Sequence, residues 1–75
     1  MIGDNIKFYR KKNQLTQDDI AEACNVTRQA VSKWENGKTQ PDIQTLSMLA
    51  STLEVSEEDL IYGPSDSEKK TLTKI

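Results

Sequence analysis

Residues 27–36, TRQAVSKWEN, limit the possible folds of this chain more than any other stretch. At 100° per residue, Ala30, Val31 and Trp34 lie on one face of a helix. The other face carries side chains that donate hydrogen bonds or bear charge: Arg28, Gln29, Ser32 and Lys33. The pattern therefore predicts a short helix with one face for a core and the other for a partner.

The residues within and next to this helix predict both its ends and the chemistry of its polar face. Thr27 can cap the first turn through its hydroxyl oxygen, and Asn36-Gly37 supplies a left-handed residue of the kind that ends helices. Arginine, glutamine and lysine donors match the acceptor edges of guanine and adenine in a major groove. Duplex DNA is therefore the partner suggested, and a merely solvated amphipathic helix is the alternative that composition alone favours.

Four further segments place apolar side chains at helical spacing, and strand-like alternation is missing. The core residues predicted in and between these segments, in addition to Ala30, Val31 and Trp34, are Ile2, Ile6, Tyr9, Leu15, Ile20, Ala21, Cys24, Val26, Ile43, Leu46, Leu49, Ala50, Leu53, Val55, Leu60 and Ile61. Met48 lies off this set and is expected to be exposed. We predict an all-α, compact five-helix domain over residues 1–63 and a flexible C-terminal tail over residues 64–75, because nothing beyond Gly63 has a core-facing period.

Two helix starts and one turn are also written in the sequence. Thr16 and Ser56 are predicted N-caps, and each is followed three residues later by an aspartate, Asp19 or Asp59, in the place of the capping-box partner. Asn25 is expected to adopt the left-handed conformation between the second and third helices, since asparagine does so at small cost. A sharp helix-turn-helix results.

Composition excludes several classes of function. The single cysteine, Cys24, rules out an intramolecular disulfide and a multi-cysteine metal cluster, and it is expected to be a buried hydrophobe. The chain has no histidine, so it lacks the commonest metal ligand and general base. We expect no enzyme activity, no metal and no cofactor. No apolar run approaches the roughly 20 residues that cross a bilayer. The expected location is cytoplasmic.

The formal net charge of −2 conceals a division along the chain. Residues 1–40 carry seven basic and five acidic side chains, whereas the remainder carries three basic and seven acidic ones. A modest basic surface can therefore coexist with an acidic back. The non-specific electrostatic contribution to DNA binding should be limited, so affinity would depend on base contacts, shape and dimerisation.

Residues 15–46 closely resemble the lambda-repressor-like (XRE, Cro/repressor type) helix-turn-helix domains of bacterial and phage transcriptional regulators. The landmarks are Thr16-Gln17, Ala21, Asn25-Val26, Trp34-Glu35-Asn36-Gly37, Pro41-Asp42 and Val55-Ser56. A bare helix-turn-helix pattern is a weak signal, but all of these landmarks in register are a strong one. The resemblance extends from Ile2 to about Ile61, and it implies that the helix over residues 27–35 enters the major groove.

The resemblance also implies roles for individual residues. The expected base-contacting residues are Arg28, Gln29, Ser32 and Lys33. The expected phosphate-contacting residues are Gln17, Arg10, Asn36 and Lys38. Relatives often pair an arginine with a glutamate at the positions of Arg10 and Glu35, so a structural ion pair between these two residues is expected, with Arg10 serving both roles.

These residues together predict a sequence-specific regulator that binds double-stranded DNA. The simplest form is a repressor that binds a palindromic operator as a homodimer, because one recognition helix reads only a few base pairs. The alternative is a protein-interaction module, such as an antitoxin-like or adaptor protein. No membrane partner and no small-molecule site are evident in the sequence.

Overall fold

The computed structural model describes residues 2–64. Within this range the chain forms five helices and no strand, as predicted. They are α1 (Ile2–Lys12), α2 (Gln17–Cys24), α3 (Arg28–Glu35), α4 (Ile43–Leu53) and α5 (Glu57–Tyr62). None of these helices has the length and apolar character that crossing a membrane requires. The predicted tail over residues 64–75 lies outside the described residues, apart from Pro64.

One hydrophobic core joins all five helices. Its buried members are Ile6, Tyr9, Ile20, Ala21, Cys24, Val31, Trp34, Leu49, Ala50, Leu53 and Leu60. The other predicted core residues that contact it are half-buried: Ile2, Leu15, Val26, Leu46 and Val55. Helix α1 packs on both α3 and α5, and α2 packs on both α3 and α4. The α2–α3 pair is therefore held in place by the two helices on either side of it.

The predicted caps are present. Thr16 Oγ1 accepts a hydrogen bond from the Asp19 amide at 3.0 Å, and an Asp19 carboxylate oxygen accepts one from the Thr16 amide at 2.8 Å. Ser56 and Asp59 make the same reciprocal pair, with both distances at 3.1 Å. Thr27 caps α3 by accepting from the amide of its third helical residue. Each box satisfies two of the backbone groups that a helix start leaves without partners.

Helices α2 and α4 end in the same kind of turn, although only one of the two was foreseen. Asn25 has φ 56°, as predicted, and Glu54 has φ 58°, which its sequence does not suggest. After each residue a half-buried valine donates its amide back to the helix, from Val26 to Ala21 and from Val55 to Ala50, both at 2.9 Å. The apolar contact that follows the helix end fixes the turn, even where the left-handed residue is a glutamate.

Two predicted core residues are exposed, and both corrections have a geometric cause. Ile43 is 83% exposed because it is the first residue of α4, whose buried residues all lie in its C-terminal half. Ile61 is 46% exposed because α5 has a single buried residue, Leu60, and successive helical residues point about 100° apart. Met48 is 41% exposed, as expected.

Helix α1 also makes two contacts that apolar spacing does not reveal. A Cβ on Gly3 would lie 2.2 Å from the carbonyl oxygen of Trp34, so glycine is needed where α1 crosses the end of α3. The buried side chain of Asn5 donates from Nδ2 to the carbonyl oxygen of Leu60 at 2.8 Å. These contacts fix α1 against α3 and α5.

Candidate nucleic-acid interface

Helix α3 is attached to the core along one side only. Val31 is fully buried and Trp34 is 5% exposed, and both belong to the face that packs on α1 and α2. Arg28, Gln29 and Lys33 are exposed, and the fourth predicted base-contacting residue, Ser32, is half-buried. The four residues are called the polar face of α3 below. Their donors are accessible while the helix backbone is held by the core.

The start of α2 lies beside the polar face of α3. Gln17, the first residue of α2, lines a groove of about 210 Å³ together with Arg28, Gln29 and Ser32. One predicted phosphate-contacting residue therefore shares a surface depression with three predicted base-contacting residues. Lys33, Asn36, Lys38 and Arg10 are not among the residues that line this groove.

A buried carboxylate connects α3 to both α1 and α2. The Glu35 side chain is 3% exposed. Its Oε2 accepts from Arg10 Nε at 2.7 Å, and its Oε1 accepts from Arg10 Nη2 and from Gln17 Nε2, each at 3.1 Å. Arg10 also donates from Nη1 to the carbonyl oxygen of Leu15 at 2.9 Å. The ion pair implied by the resemblance is thus present, and the Glu35 charge is compensated by three N–H donors.

This network changes the role of Arg10. Three of its five N–H donors are used within the domain, and its side chain is only 11% exposed. The other two N–H donors are not used by these bonds, so the predicted phosphate contact from Arg10 stays a prediction beside its structural role. Arg10 is a structural residue that secures the end of α3 to α1.

Gln17 is oriented by the same network, which the sequence did not predict. One N–H of its amide is committed to Glu35, so its second N–H and its carbonyl oxygen remain for other partners. Glu35 therefore positions a side chain of the groove as well as neutralising Arg10. Glu35 follows Trp34 inside a helical pattern, and nothing local marks it as an acceptor for Gln17.

The segment after α3 folds back on that helix. Gly37 has φ 75°, and the amides of Lys38 and Thr39 both donate to the carbonyl oxygen of Lys33, at 2.9 and 3.4 Å. Lys38 is exposed in this loop, and Asn36 is exposed with its Nδ2 donating to Ser32 Oγ at 3.4 Å. The two predicted phosphate-contacting residues are thus placed at the C-terminal end of the polar face of α3.

The described residues do not support a metal site or a reactive thiol. Within residues 2–64, no group of three histidine, cysteine, aspartate or glutamate side chains is close enough to hold a metal ion. Burial raises the pKa of the Cys24 thiol, and a side-chain hydrogen bond with Thr52 opposes that rise. Thiolate is the reactive form of cysteine, so Cys24 belongs to the core and not to a site.

The chain is similar in sequence to known helix-turn-helix proteins. A family model described as Helix-turn-helix matches residues 6–60. The uncharacterized HTH-type transcriptional regulator YqaE of Bacillus subtilis is 36% identical over 66 residues, which are 88% of this chain and 57% of YqaE. Antitoxin PezA of Streptococcus pneumoniae is 33% identical over 61 residues, 81% of this chain and 39% of PezA. The chain thus spans less than two thirds of either relative.

The fold is similar to solved repressor and regulator structures. The P22 c2 repressor in complex with a synthetic operator matches with a TM-score of 0.80 and 30% identity, covering 85% of this chain and 97% of that chain. SinR, a master regulator for biofilm formation, was solved in complex with DNA; it matches with a TM-score of 0.74 and 37% identity, covering 81% of this chain and 98% of that chain.

Proposed function

The chain belongs to the helix-turn-helix family of transcriptional regulators, and from that premise we propose that it binds an operator in double-stranded DNA through α3 and regulates transcription, most simply as a repressor. Residues 1–63 form the DNA-binding domain in this proposal. The operator is expected to be palindromic and bound by a homodimer, because one recognition helix reads only a few base pairs.

One observation carries the proposal. The N-terminal turns of α2 and α3 share a groove in which Gln17 lies beside three residues of the polar face of α3, all on a rigid base formed by the core and the Glu35 network. A protein that reads base edges while it holds phosphates needs accessible hydrogen-bond donors in fixed positions, and the starts of α2 and α3 supply them. The c2 repressor and SinR structures, both solved with DNA, support this reading.

The proposed roles follow from position. Arg28, Gln29 and Lys33 read base edges, and Ser32 reaches a base or a phosphate. The phosphate contacts come from Gln17, Arg10, Asn36 and Lys38. The proposal includes a cytoplasmic location, where genomic DNA of bacteria lies, and it assigns no enzymatic activity.

The test begins with selection of bound duplexes from a random library, which returns the preferred site, its symmetry and its half-site spacing together. The selected duplex is then titrated with wild-type protein and with Arg28→Ala, Gln29→Ala and Lys33→Ala. We expect a palindromic site and a lower ratio of specific to random affinity for each variant. A library that yields no enriched sequence would reject the proposal.

A second candidate function is an antitoxin-like or adaptor role. The similarity to PezA favours it, and so do the large apolar side chains exposed on α4 and α5. In that case the two halves of the domain would have different partners. Binding of a protein partner that is lost on charge substitution of α4, with DNA affinity unchanged, would support this role.

A further inference from the structure

Arg10 and Gln17 hold unused hydrogen-bond donors side by side. Arg10 Nη2 and Gln17 Nε2 both donate to Glu35 Oε1, each at 3.1 Å, so the two nitrogens lie no farther apart than twice that distance. The bonds to Glu35 and Leu15 leave Arg10 with two N–H groups and Gln17 with one. A DNA phosphate has more than one acceptor oxygen, so it can accept hydrogen bonds from both side chains at once.

These three side chains carry no net charge together. The Arg10 guanidinium is paired with the Glu35 carboxylate at 2.7 Å, and the Gln17 amide is neutral. A phosphate that approaches them is attracted by the guanidinium and repelled by the carboxylate behind it. Arg10 and Gln17 can therefore orient a phosphate, but the net attraction has to come from another positive side chain nearby.

Lys7 is a positive side chain in a suitable position. It lies one helical turn after Gly3 and one turn before Arg10, and the three residues fall within an arc of about 60° on α1. Gly3 faces the carbonyl oxygens of Trp34 and Glu35, so this arc is the side of α1 that faces the end of α3. Lys7 is exposed, and it forms no ion pair with any other residue that the structure describes. Its charge is therefore available beside Arg10.

Lys12 lies on a different surface of the same helix. It points about 140° away from Lys7, and its Nζ lies 6.0 Å from the centre of the Tyr9 ring. It also lines a depression together with Leu53 and Val55, so it adjoins the turn between α4 and α5. The two lysines thus carry the same charge on one helix and differ in the surface that they adjoin.

We propose that Lys7, Arg10 and Gln17 form one phosphate-binding site, in which Lys7 supplies the positive charge and the other two side chains supply fixed donors; the inference rests on the proposed function. Gln17 also lines the groove that it shares with the polar face of α3, so a duplex read by α3 brings its backbone to this edge of the domain. Glu35 holds both donors of the site through one oxygen atom. Helix α1 thereby becomes part of the DNA contact through Lys7.

Alanine substitution of the two lysines tests the role of the Lys7 charge. Lys7→Ala and Lys12→Ala change the net charge of the protein equally, so a difference between them reports a local contact and not the overall field. Lys7→Ala should make the slope of log affinity against log salt shallower by about one for each bound subunit, on selected and on random duplex. The affinity advantage of wild type over this variant should then shrink roughly three- to fourfold per subunit between about 50 and about 200 mM salt. Lys12→Ala should keep the wild-type slope, and Lys7→Arg should retain it as well. Thermal melts confirm that each variant is folded under the binding conditions.

Uncharged backbone linkages in the duplex test whether the side chains share one phosphate. A methylphosphonate linkage, which lacks the phosphate charge, is placed in turn at each position of the selected half-site. We expect one position at which this linkage weakens binding of the wild type but has much less effect on Lys7→Ala and on Gln17→Ala. Lys38→Ala should lose its sensitivity at a different position, because Lys38 lies in the loop after α3.

The results distinguish failure of this inference from failure of the proposed function. If wild-type protein binds neither selected nor random duplex, the proposed function fails and the phosphate site fails with it. If wild-type protein binds DNA but Lys7→Ala and Lys12→Ala have equal salt slopes, DNA binding stands and the inference is overturned. Loss of sensitivity at different linkages for Lys7→Ala and Gln17→Ala would overturn it in the same way. If binding shows no sequence preference, the salt slopes on random duplex still decide.

Discussion

Helices α3 and α4 are built alike on the inside and differently on the outside. Each begins with a side-chain cap, Thr27 or Asp42, and each buries an apolar stripe in the same core. The exposed side of α3 carries arginine, glutamine and lysine, whereas α4 contains no charged residue along its whole length. Equal burial can therefore support surfaces of different chemistry, and the exposed residues indicate which kind of partner each helix can meet.

The two helices also differ in how they are held. Helix α3 ends in a buried ion-pair network through Glu35, while the C-terminal half of α4 is held by apolar packing and neutral hydrogen bonds, such as that from Asn13 Nδ2 to the carbonyl oxygen of Leu53 at 3.1 Å. A shift of α3 that separated Glu35 from Arg10 would leave a buried charge without its partner, which is costly. The apolar packing of Leu49 and Leu53 has no preferred direction, so it constrains the position of α4 less strictly than the ion pair constrains α3.

The largest effect is expected from separating Arg10 and Glu35. Arg10→Met or Glu35→Leu alone should reduce the free energy of unfolding by about 3–5 kcal/mol, because each leaves a buried charge without its partner. The double variant should lose less than the sum of the two, and urea denaturation of all four proteins measures the coupling. Additive losses would mean that the buried pair does not hold α3.

Within α4 the effect should depend on position along the helix. Leu49→Ala removes a fully buried side chain and should cost about 2–5 kcal/mol of unfolding free energy. Ile43→Ala, at the exposed start of the same helix, should change it by less than about 0.5 kcal/mol. Both are measured by urea denaturation at a protein concentration where the chain is monomeric. Comparable losses from the two variants would show that Ile43 is covered in the folded monomer.

The contrast between these two residues indicates how far the sequence predicts the structure. The caps of Thr16, Thr27 and Ser56 and the turn at Asn25 are encoded within four residues, so the local pattern alone predicts them, whereas it does not predict the turn at Glu54. Burial along α4 depends on which of its turns the neighbouring helices cover, and apolar spacing treats Ile43 like Leu49. The amphipathic pattern therefore locates a helix more reliably than it locates the end of the core.

The candidate site shows the same limit. Exposure of Arg28, Gln29 and Lys33 followed from helical spacing, and the Arg10–Glu35 pair followed from the resemblance. The bond from Gln17 to Glu35 joins residues 18 positions apart, so no local pattern encodes it. The contacts of Gly3 and Asn5 were missed for the same reason, because they depend on how α1 crosses the ends of α3 and α5.

The polar face of α3 should matter for DNA and little for folding. Arg28→Ala or Gln29→Ala should lose about 1–3 kcal/mol of binding free energy on the preferred duplex and relax the preference at one position of each half-site. Gln44→Ala, an exposed glutamine on α4, is the matched control and should retain base preference. Titrations against single-base variants of the duplex measure this difference. A similar loss of base preference in Gln44→Ala would mean that α3 is not the reading helix.

Lys38→Ala should instead weaken binding to every duplex similarly, because an exposed loop lysine contacts phosphates and not bases. The slope of log affinity against log salt should become shallower by about one counterion per contact. Titrations at several salt concentrations, on the preferred and on random duplex, measure it. A loss of affinity confined to the preferred duplex would mean that Lys38 contacts bases.

The smallest expected effect is that of low pH on the helix caps, because the cap of α4 titrates and the cap of α3 does not. Asp42 caps α4, and hydrogen bonds from the hydroxyl and the amide of Thr45 lower the pKa of its carboxyl group. Because the folded-state pKa lies below the ordinary value of about 3.9, the stabilisation is complete above that pH and is lost as pH falls through the lower folded-state pKa.

Asp42→Asn keeps a good N-cap that does not titrate, so it isolates this contribution. We expect the difference in melting temperature between wild type and Asp42→Asn to move in favour of the variant as pH is lowered from about 5 to about 2. Asp18→Asn, at an exposed aspartate that is not an N-cap, is the matched control. The Thr27 cap of α3 does not titrate, so acid should weaken the start of α4 and leave the start of α3 unchanged. A constant difference down to low pH would mean that the Asp42 charge contributes nothing beyond what a neutral cap supplies.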